Sequence, residues 1–160
     1  MELKDSGARR EFTTGAVRDI AEGKGRCDLL PLDVLAIMTK DDVLSHINKY
    51  IYSGCVDDLM MAIESFNSRE YGNFYSAMLQ VAKQYEDGAK KYDDRNWEKG
   101  MPLHCFIDSG VRHYLKHRRG DDDEPHNRAF LFNMLGAIWT HLHKPELIDL
   151  PFAQAEGTDD

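Results

Sequence analysis

At 160 residues the chain is long enough for one domain with a sizeable core, and its 42% hydrophobic and 30% charged content is ordinary for a globular protein. A formal net charge of -8 excludes the overall basic surface that marks a nucleic-acid polymer binder. Cys27, Cys55 and Cys105 form no CxxC pair, which argues against a zinc finger or disulfide framework and for a reducing cytoplasm. The start, MELKDSGARREF, lacks the apolar stretch of a signal peptide, and no run is long enough to span a bilayer. A soluble cytoplasmic protein that engages no membrane is expected.

Taken in chain order, residues 1–11 are polar and read as a flexible N-terminus. TTGAVRDIAEGKGRCDLLP follows, a Gly-rich loop segment ending at Pro31. Pro31 opens a first helix through LDVLAIM, and Asp41 or Asp42 caps a second, which Ser53-Gly54 stops. A third helix is predicted over 56–66, with Leu59, Met60, Ile63 and Phe66 on one stripe, and NSREYGN is read as a loop. A long helix over 74–92 follows, with Leu79, Ala82, Tyr85 or Glu86, and Ala89 at helical steps. Residues 93–102 form a loop carrying Trp97. Residues 103–118 form a helix with Ile107, Val111, Tyr114 and Leu115 on its apolar stripe. After a turn at 120–122, a last helix is predicted over 123–143, with Pro125 in its first turn, where proline is tolerated. Lys144-Pro145 ends it, and 151–160 is a polar tail. No segment alternates as a strand would. The fold class is all-α: a single domain over 12–150, a helical bundle with a Gly-rich N-terminal loop.

Three helical segments set charged groups on or beside the apolar stripe, where charge is costly unless paired or metal-bound. Glu86 sits at the edge of its stripe, either as a ligand for a hard cation or as the partner of Lys83 or Lys90. In the next helix Asp108 and Arg112 are four apart. Arg112 and Lys116 could hold phosphate oxygens, with Asp108 binding metal or orienting Arg112; an ordinary surface salt bridge is the alternative. GDDDEPHNRAF crowds acids, a histidine and an asparagine around a helix start. Capping explains Asp121 to Asp123. It does not explain Glu124, Asn127, Leu131 and Met134 on one stripe, or His126 and Asn133 two turns apart on a common side. Asp123, Glu124 and His126 are therefore candidates for a metal or ligand. Lys24 and Arg26 in GKGRCD, with Arg18 before them, could wrap cations and backbone N–H groups around phosphates, though the Walker A spacing is absent. Trp97 could stack on a base or anchor its loop to the core. The remaining histidines, among them His46, His104, His117, His141 and His143, read as surface or capping residues.

TGAxRD…GKGRxDLLP, then YExGAKKYxxRNWEKG, then IDSxxRHYLKxxRGxDDEPHxRAFxxNML resembles the phage-type dATP/dGTP diphosphohydrolases, small proteins loosely grouped with the MazG-like all-α nucleotide pyrophosphohydrolases. The resemblance covers residues 12–31 and about 78–140; residues 32–77 read as an extra helical segment. It implies a helical bundle that binds Mg²⁺ and a purine deoxynucleoside triphosphate. Water would attack the α-phosphorus to give the monophosphate and pyrophosphate, in the cytoplasm of a phage-infected host. Carried onto this chain, Glu86, Asp123 and Glu124 would hold metal. Arg18, Lys24, Arg26, Lys91, Arg112 and Lys116 would face phosphate, with Asn96 and Trp97 also contacting the nucleotide. His113 or His126 would position the water or the leaving group. Two positions depart from the pattern. QYEDG supplies Glu86 and Asp87 but no ExxE pair, and Asn127 stands where the family has Asp after the DEPH histidine. The alternative is a phage nucleotide-binding protein that does no chemistry and sequesters a nucleotide signal of host defence. MazG-type relatives pair their helices into dimers or tetramers, so a homo-oligomer is expected; Met60, Met61, Phe66, Phe74 and Tyr75 could supply the contact surface or belong to the core.

Overall fold

A short hairpin precedes the first helix. In the computed structural model, which describes residues 7–155, β1 (Arg9–Glu11) pairs antiparallel with β2 (Val17–Asp19), Arg10 lying opposite Arg18. The expectation of no strands is corrected here, because strands this short give a periodicity count nothing to register. The pairing takes in residues 9–11 of the segment read as flexible; residues 1–6 lie outside the described part. Asn96 fastens the hairpin to the body. Its Oδ1 accepts the Val17 N–H and its Nδ2 donates to the Val17 carbonyl, both at 2.8 Å.

Helices make up the rest: α1 (Leu32–Thr39), α2 (Asp42–Ser53), α3 (Val56–Glu70), α4 (Phe74–Lys91), α5 (Leu103–Arg119), α6 (His126–His143) and α7 (Pro151–Ala155). Short 3₁₀ turns occupy Cys27–Leu29, Asn96–Lys99 and Pro145–Leu147. Asp41 caps α2 by accepting the Leu44 N–H at 3.1 Å. Gly54 ends α2 in the left-handed region, with φ +72°, and a Cβ there would strike the ring of Phe152. None of the helices is long and apolar enough to cross a membrane among the described residues.

Three boundaries differ from the sequence reading. Helix α3 continues through Glu70, where a loop is predicted from 67. Asn67 and Ser68 are tolerated in a helix, and the break comes only at Gly72, after which Asn73 caps α4 through the N–H groups of Tyr75 and Ser76. Helix α6 begins at His126, not at 123. Pro125 disfavours helical backbone in the residue before it and itself sits at ψ 78°, so Asp123 and Glu124 stay in the approach loop. In the expected polar tail, Pro151–Ala155 is helical, and Phe152 docks edge-on against Tyr50 at 5.5 Å; residues 156–160 lie outside the described part.

Antiparallel α5 and α6 form the centre. Gly110 faces Asn133 and Met134, and Gly136 faces the ring of Phe106, so the two helices approach closely. Phe66 of α3 closes one side against Phe130 and Tyr114, at 4.8 Å and 6.1 Å between ring centres. Helix α4 lies antiparallel across α6, where Tyr85 meets Phe132 and Asp87 pairs with Arg128 at 2.7 Å. The inward face of α4 is Ala77, Val81 and Gln84; of the expected stripe, Tyr85 packs against the core, while Ala82, Glu86 and Leu79 are exposed, Leu79 by 72%. Both sets have helical spacing, and the packing of α4 against α6 decides which one is buried. On α3, Leu59, Ile63 and Phe66 are buried as predicted, but Met60 is exposed. Of the five residues weighed as contact surface or core, Phe66 is core and Met60, Met61, Phe74 and Tyr75 are exposed.

Candidate functional site

Between the hairpin, α4, α5 and α6 lies a cavity of about 770 Å³. Every site residue expected from sequence lines it except Arg26 and His126. The Gly-rich turn and α5 supply cations, the loop before α6 supplies acids, and α4, the 96–99 turn and α6 supply aromatic rings, with Glu86 and Lys91 of α4 charged among them.

The cations have distinct circumstances. Arg112 donates from one Nη to both oxygens of Asp108, at 2.7 and 2.8 Å, and to the Gly25 carbonyl at 2.6 Å. Asp108 is buried and also accepts the Cys27 N–H at 2.7 Å. Asp108 therefore orients Arg112 and ties the turn to α5; the pair is buried and is no surface salt bridge. Gly25 allows this because its φ of +88° suits glycine. Lys24, in the same turn, has its pKa lowered by burial; Arg112, Lys116 and Lys91 add to the effect and Asp19 opposes it.

Other expected phosphate binders already have partners. Arg18 donates to Asn133 at 2.9 Å and lies 5.0 Å from the ring centre of Phe106. Lys91 pairs with Asp19 at 2.8 Å. Arg26 makes a forked pair with Asp28 on the exposed outer side of the turn, away from the cavity. Asn96 spends its amide on Val17. Trp97 lines the cavity while packing edge-on against Tyr85 at 5.8 Å and Trp139 at 5.1 Å. It anchors its turn to the core and presents a ring to the cavity.

The two histidines meet. His126, 2% exposed, places Nε2 2.7 Å from Asp123 Oδ1 and Nδ1 2.9 Å from His113 Nδ1. We assign tautomers from these partners. A carboxylate only accepts, so His126 donates from Nε2, and in a neutral ring its Nδ1 accepts. His113 then donates from Nδ1, and no hydrogen bond engages its Nε2 among the described residues. Burial, then the neighbouring His126 and the cations Lys116, Arg18 and Arg112, hold the His113 pKa at about 3, so its ring is neutral near neutral pH. His126 thus stands behind His113 rather than in the cavity wall.

Candidate metal ligands fall into two groups among the described residues. The donor atoms of His113, Glu124 and His126 lie within 4.8 Å of one another, as do those of Asp121, Asp123 and His126. Asp123 and Glu124 belong to different groups, and Glu86 joins neither. Glu86 lies on the exposed side of α4, facing the open cavity. The structure therefore brings the three expected metal acids to one cavity but not to one point.

Sequence reasoning missed Gln84, Asp19 and Phe132, which all line the cavity. Asp19 accepts from Arg9, Lys91 and the Tyr92 hydroxyl, at 2.8 to 3.0 Å. The step from Ala77 through Val81 to Gln84 carried the signal for Gln84. Nothing in the spacing announced Asp19, because its partners are 72 or more residues away or across a hairpin.

The profile of the family described as dATP/dGTP diphosphohydrolase, N-terminal, matches residues 63–150. The match spans more than half of the chain, and the chain belongs to that family. It takes in α4, α5, α6 and the acidic loop, and it begins within α3, leaving the Gly-rich turn outside. No curated protein and no solved structure matches the chain.

Proposed function

We propose that the chain hydrolyses purine deoxynucleoside triphosphates to the monophosphate and pyrophosphate, with Mg²⁺. The observation that carries this reading is one cavity that gathers cations, carboxylates and aromatic rings, in a member of a family whose description names a dATP/dGTP diphosphohydrolase. Lys24, Arg112 and Lys116 would take the phosphate oxygens, with Arg112 aimed by Asp108. The rings of Tyr85, Trp97 and Phe132 would flank the base. His113, neutral and with no hydrogen bond at Nε2 among the described residues, would accept a hydrogen bond from the attacking water and hold it in line. His126 and Asp123 position His113.

The donors around His126 mix imidazole nitrogen with carboxylate oxygen, and Mg²⁺ fits the oxygen members. We assign Glu86, Asp123 and Glu124 to it, acids that line the one cavity from separate points, and when bound the ion would polarise the α-phosphoryl group and neutralise charge that develops there. In the reaction the water oxygen bonds to the α-phosphorus and the bond to the bridging oxygen of the β-phosphate breaks, releasing pyrophosphate.

The exposed Met60, Met61, Phe74 and Tyr75 on α3 and α4 are the surface on which we would place a homo-oligomer contact. Three cysteines that carry no disulfide suit a reducing cytoplasm, here that of a phage-infected cell.

The test is incubation of the purified protein with dATP, dGTP and cyclic dinucleotides, in Mg²⁺ or EDTA, with products resolved by chromatography. Metal-dependent dAMP or dGMP plus pyrophosphate is expected. Nucleotide bound tightly and released intact on denaturation would replace the enzyme with a sequestering protein.

A further inference from the structure

Three amide side chains line the cavity: Gln84, Asn96 and Asn133. Asn96 is committed to Val17 through both its groups. Asn133 accepts from Arg18 at 2.9 Å and donates to the Ala129 carbonyl at 2.8 Å. Of the three, Gln84 has no partner among the described residues. It is 6% exposed, and its Oε1 is buried without a hydrogen bond. Leaving such a group unpaired costs free energy, so its presence at a cavity wall points to a guest that completes it. Its neighbours in that wall include Tyr85, the next residue on α4, and the rings of Phe132 and Trp97 that pack around Tyr85.

We infer that Gln84 reads the base of the substrate, and that its single amide accepts adenine and guanine alike by turning over. This rests on the purine-triphosphate reading above. The edge of adenine sets an N6–H donor beside the N1 acceptor. The edge of guanine reverses the order, with the O6 acceptor beside the N1–H donor. A primary amide carries an acceptor and a donor side by side, so one orientation matches adenine and the orientation turned by half a rotation matches guanine. A carboxylate or an ammonium at the same place would match only one of them. Pyrimidine edges carry similar pairs, so the choice of purine comes from reach. With the phosphates held by Lys24, Arg112 and Lys116 and the base flanked by aromatic rings, the larger ring system extends farther along the wall.

The test compares wild type, Gln84→Met and Gln84→Glu on dATP, dGTP and dCTP by kcat/KM, with pyrophosphate binding followed by calorimetry and folding by thermal melts. Gln84→Met removes both polar groups at similar volume. It should lower kcat/KM for dATP and dGTP by about tenfold or more, and leave dCTP turnover and pyrophosphate binding unchanged. Gln84→Glu gives the sharper result. A carboxylate accepts from both N1–H and N2–H of guanine but faces the N1 lone pair of adenine, so this variant should prefer dGTP over dATP by about tenfold or more. A purely structural role for Gln84 would not change that ratio. Equal losses on all three substrates, or a dGTP to dATP ratio unchanged in Gln84→Glu, overturns the inference while leaving the proposed activity standing. Failure of the wild type to bind or turn over any of the three overturns both. If Gln84→Met melts at the assay temperature, the Gln84→Glu ratio decides alone.

Discussion

Asp108 sets both carboxylate oxygens against the guanidinium of Arg112, one turn further along α5. Because the same two side chains also take the Cys27 N–H and the Gly25 carbonyl, one ion pair secures the turn that carries Lys24. Replacing Asp108 by Asn removes the charge but keeps the shape, leaving a largely buried guanidinium uncompensated. Such losses typically cost about 3 kcal/mol. We expect Asp108→Asn to lower stability in urea by about that amount and to raise KM for the triphosphate as the turn loosens. A variant with unchanged stability and KM would show that Arg112 and the turn are held by other contacts.

Glu86 has the opposite character. Among the described residues no hydrogen bond or ion pair engages its carboxylate, and it stands exposed on α4 at the cavity edge. Neutralising it should therefore leave folding untouched, within about 0.5 kcal/mol. If it holds metal, Glu86→Gln abolishes turnover while the melting curve superimposes on that of the wild type. Undiminished turnover would remove Glu86 from the metal-binding set.

The α5–α6 contact is sensitive to single atoms. A Cβ on Gly136 would overlap the ring of Phe106, which also lies beneath the guanidinium of Arg18. Overpacking of this kind costs about 1–3 kcal/mol. Gly136→Ala should melt lower by that margin and weaken triphosphate binding through the displaced Arg18. Gly88→Ala, on α4, meets no atom within 4 Å and serves as the control. Equal behaviour of the two variants would show that the ring of Phe106 can move aside.

A salt bridge away from the cavity contributes its own pH dependence to stability. His104, at the start of α5, pairs with Asp149 ahead of α7. The hydrogen bond to Asp149 raises its pKa from 6.5 to about 10. The Asp149 carboxyl is pushed up by burial, but the hydrogen bonds from the His104 side chain and backbone prevail and hold it below 3.8. For a histidine whose folded pKa is raised, the contribution is complete below the unfolded value and fades as pH climbs to the folded one. The bridge thus stabilises fully between about pH 4 and 6.5 and declines from 6.5 to 10. Asp149 is more than a third exposed, so solvent screening limits the contribution to about 1 kcal/mol. Asp149→Asn should cost that much at pH 5.5 and little at pH 10. A deficit constant over this range would mean the bridge carries no net charge interaction.

The helices were legible because their signals are local. Asp41, Gly54 and Asn73 each act within a few residues, and α5 shows its apolar stripe directly. Helix α4 misled because two spacings of three and four fit it equally, and only the partner helix decides which face turns inward. The acidic loop misled because Pro125 suits the first turn of a helix but also ends the helical preference of the residue before it. Within the site, residue types and membership of one cavity were readable. What each residue is already bound to was not: Asn96 to Val17, Arg18 to Asn133 and Lys91 to Asp19 are pairings made across 72 to 115 positions. Spacing along a chain carries no information about such distant partners, and they separate the free cations from the committed ones.

The hold of Asn96 on Val17 reaches beyond the placement of the hairpin. Val17 would otherwise present an N–H and a carbonyl along the outer margin of β2, the groups through which foreign strands add to a sheet. The amide of Asn96 reproduces a backbone peptide closely enough to occupy both. It acts as a gatekeeper: at Val17 a side chain takes the place a neighbouring strand would have.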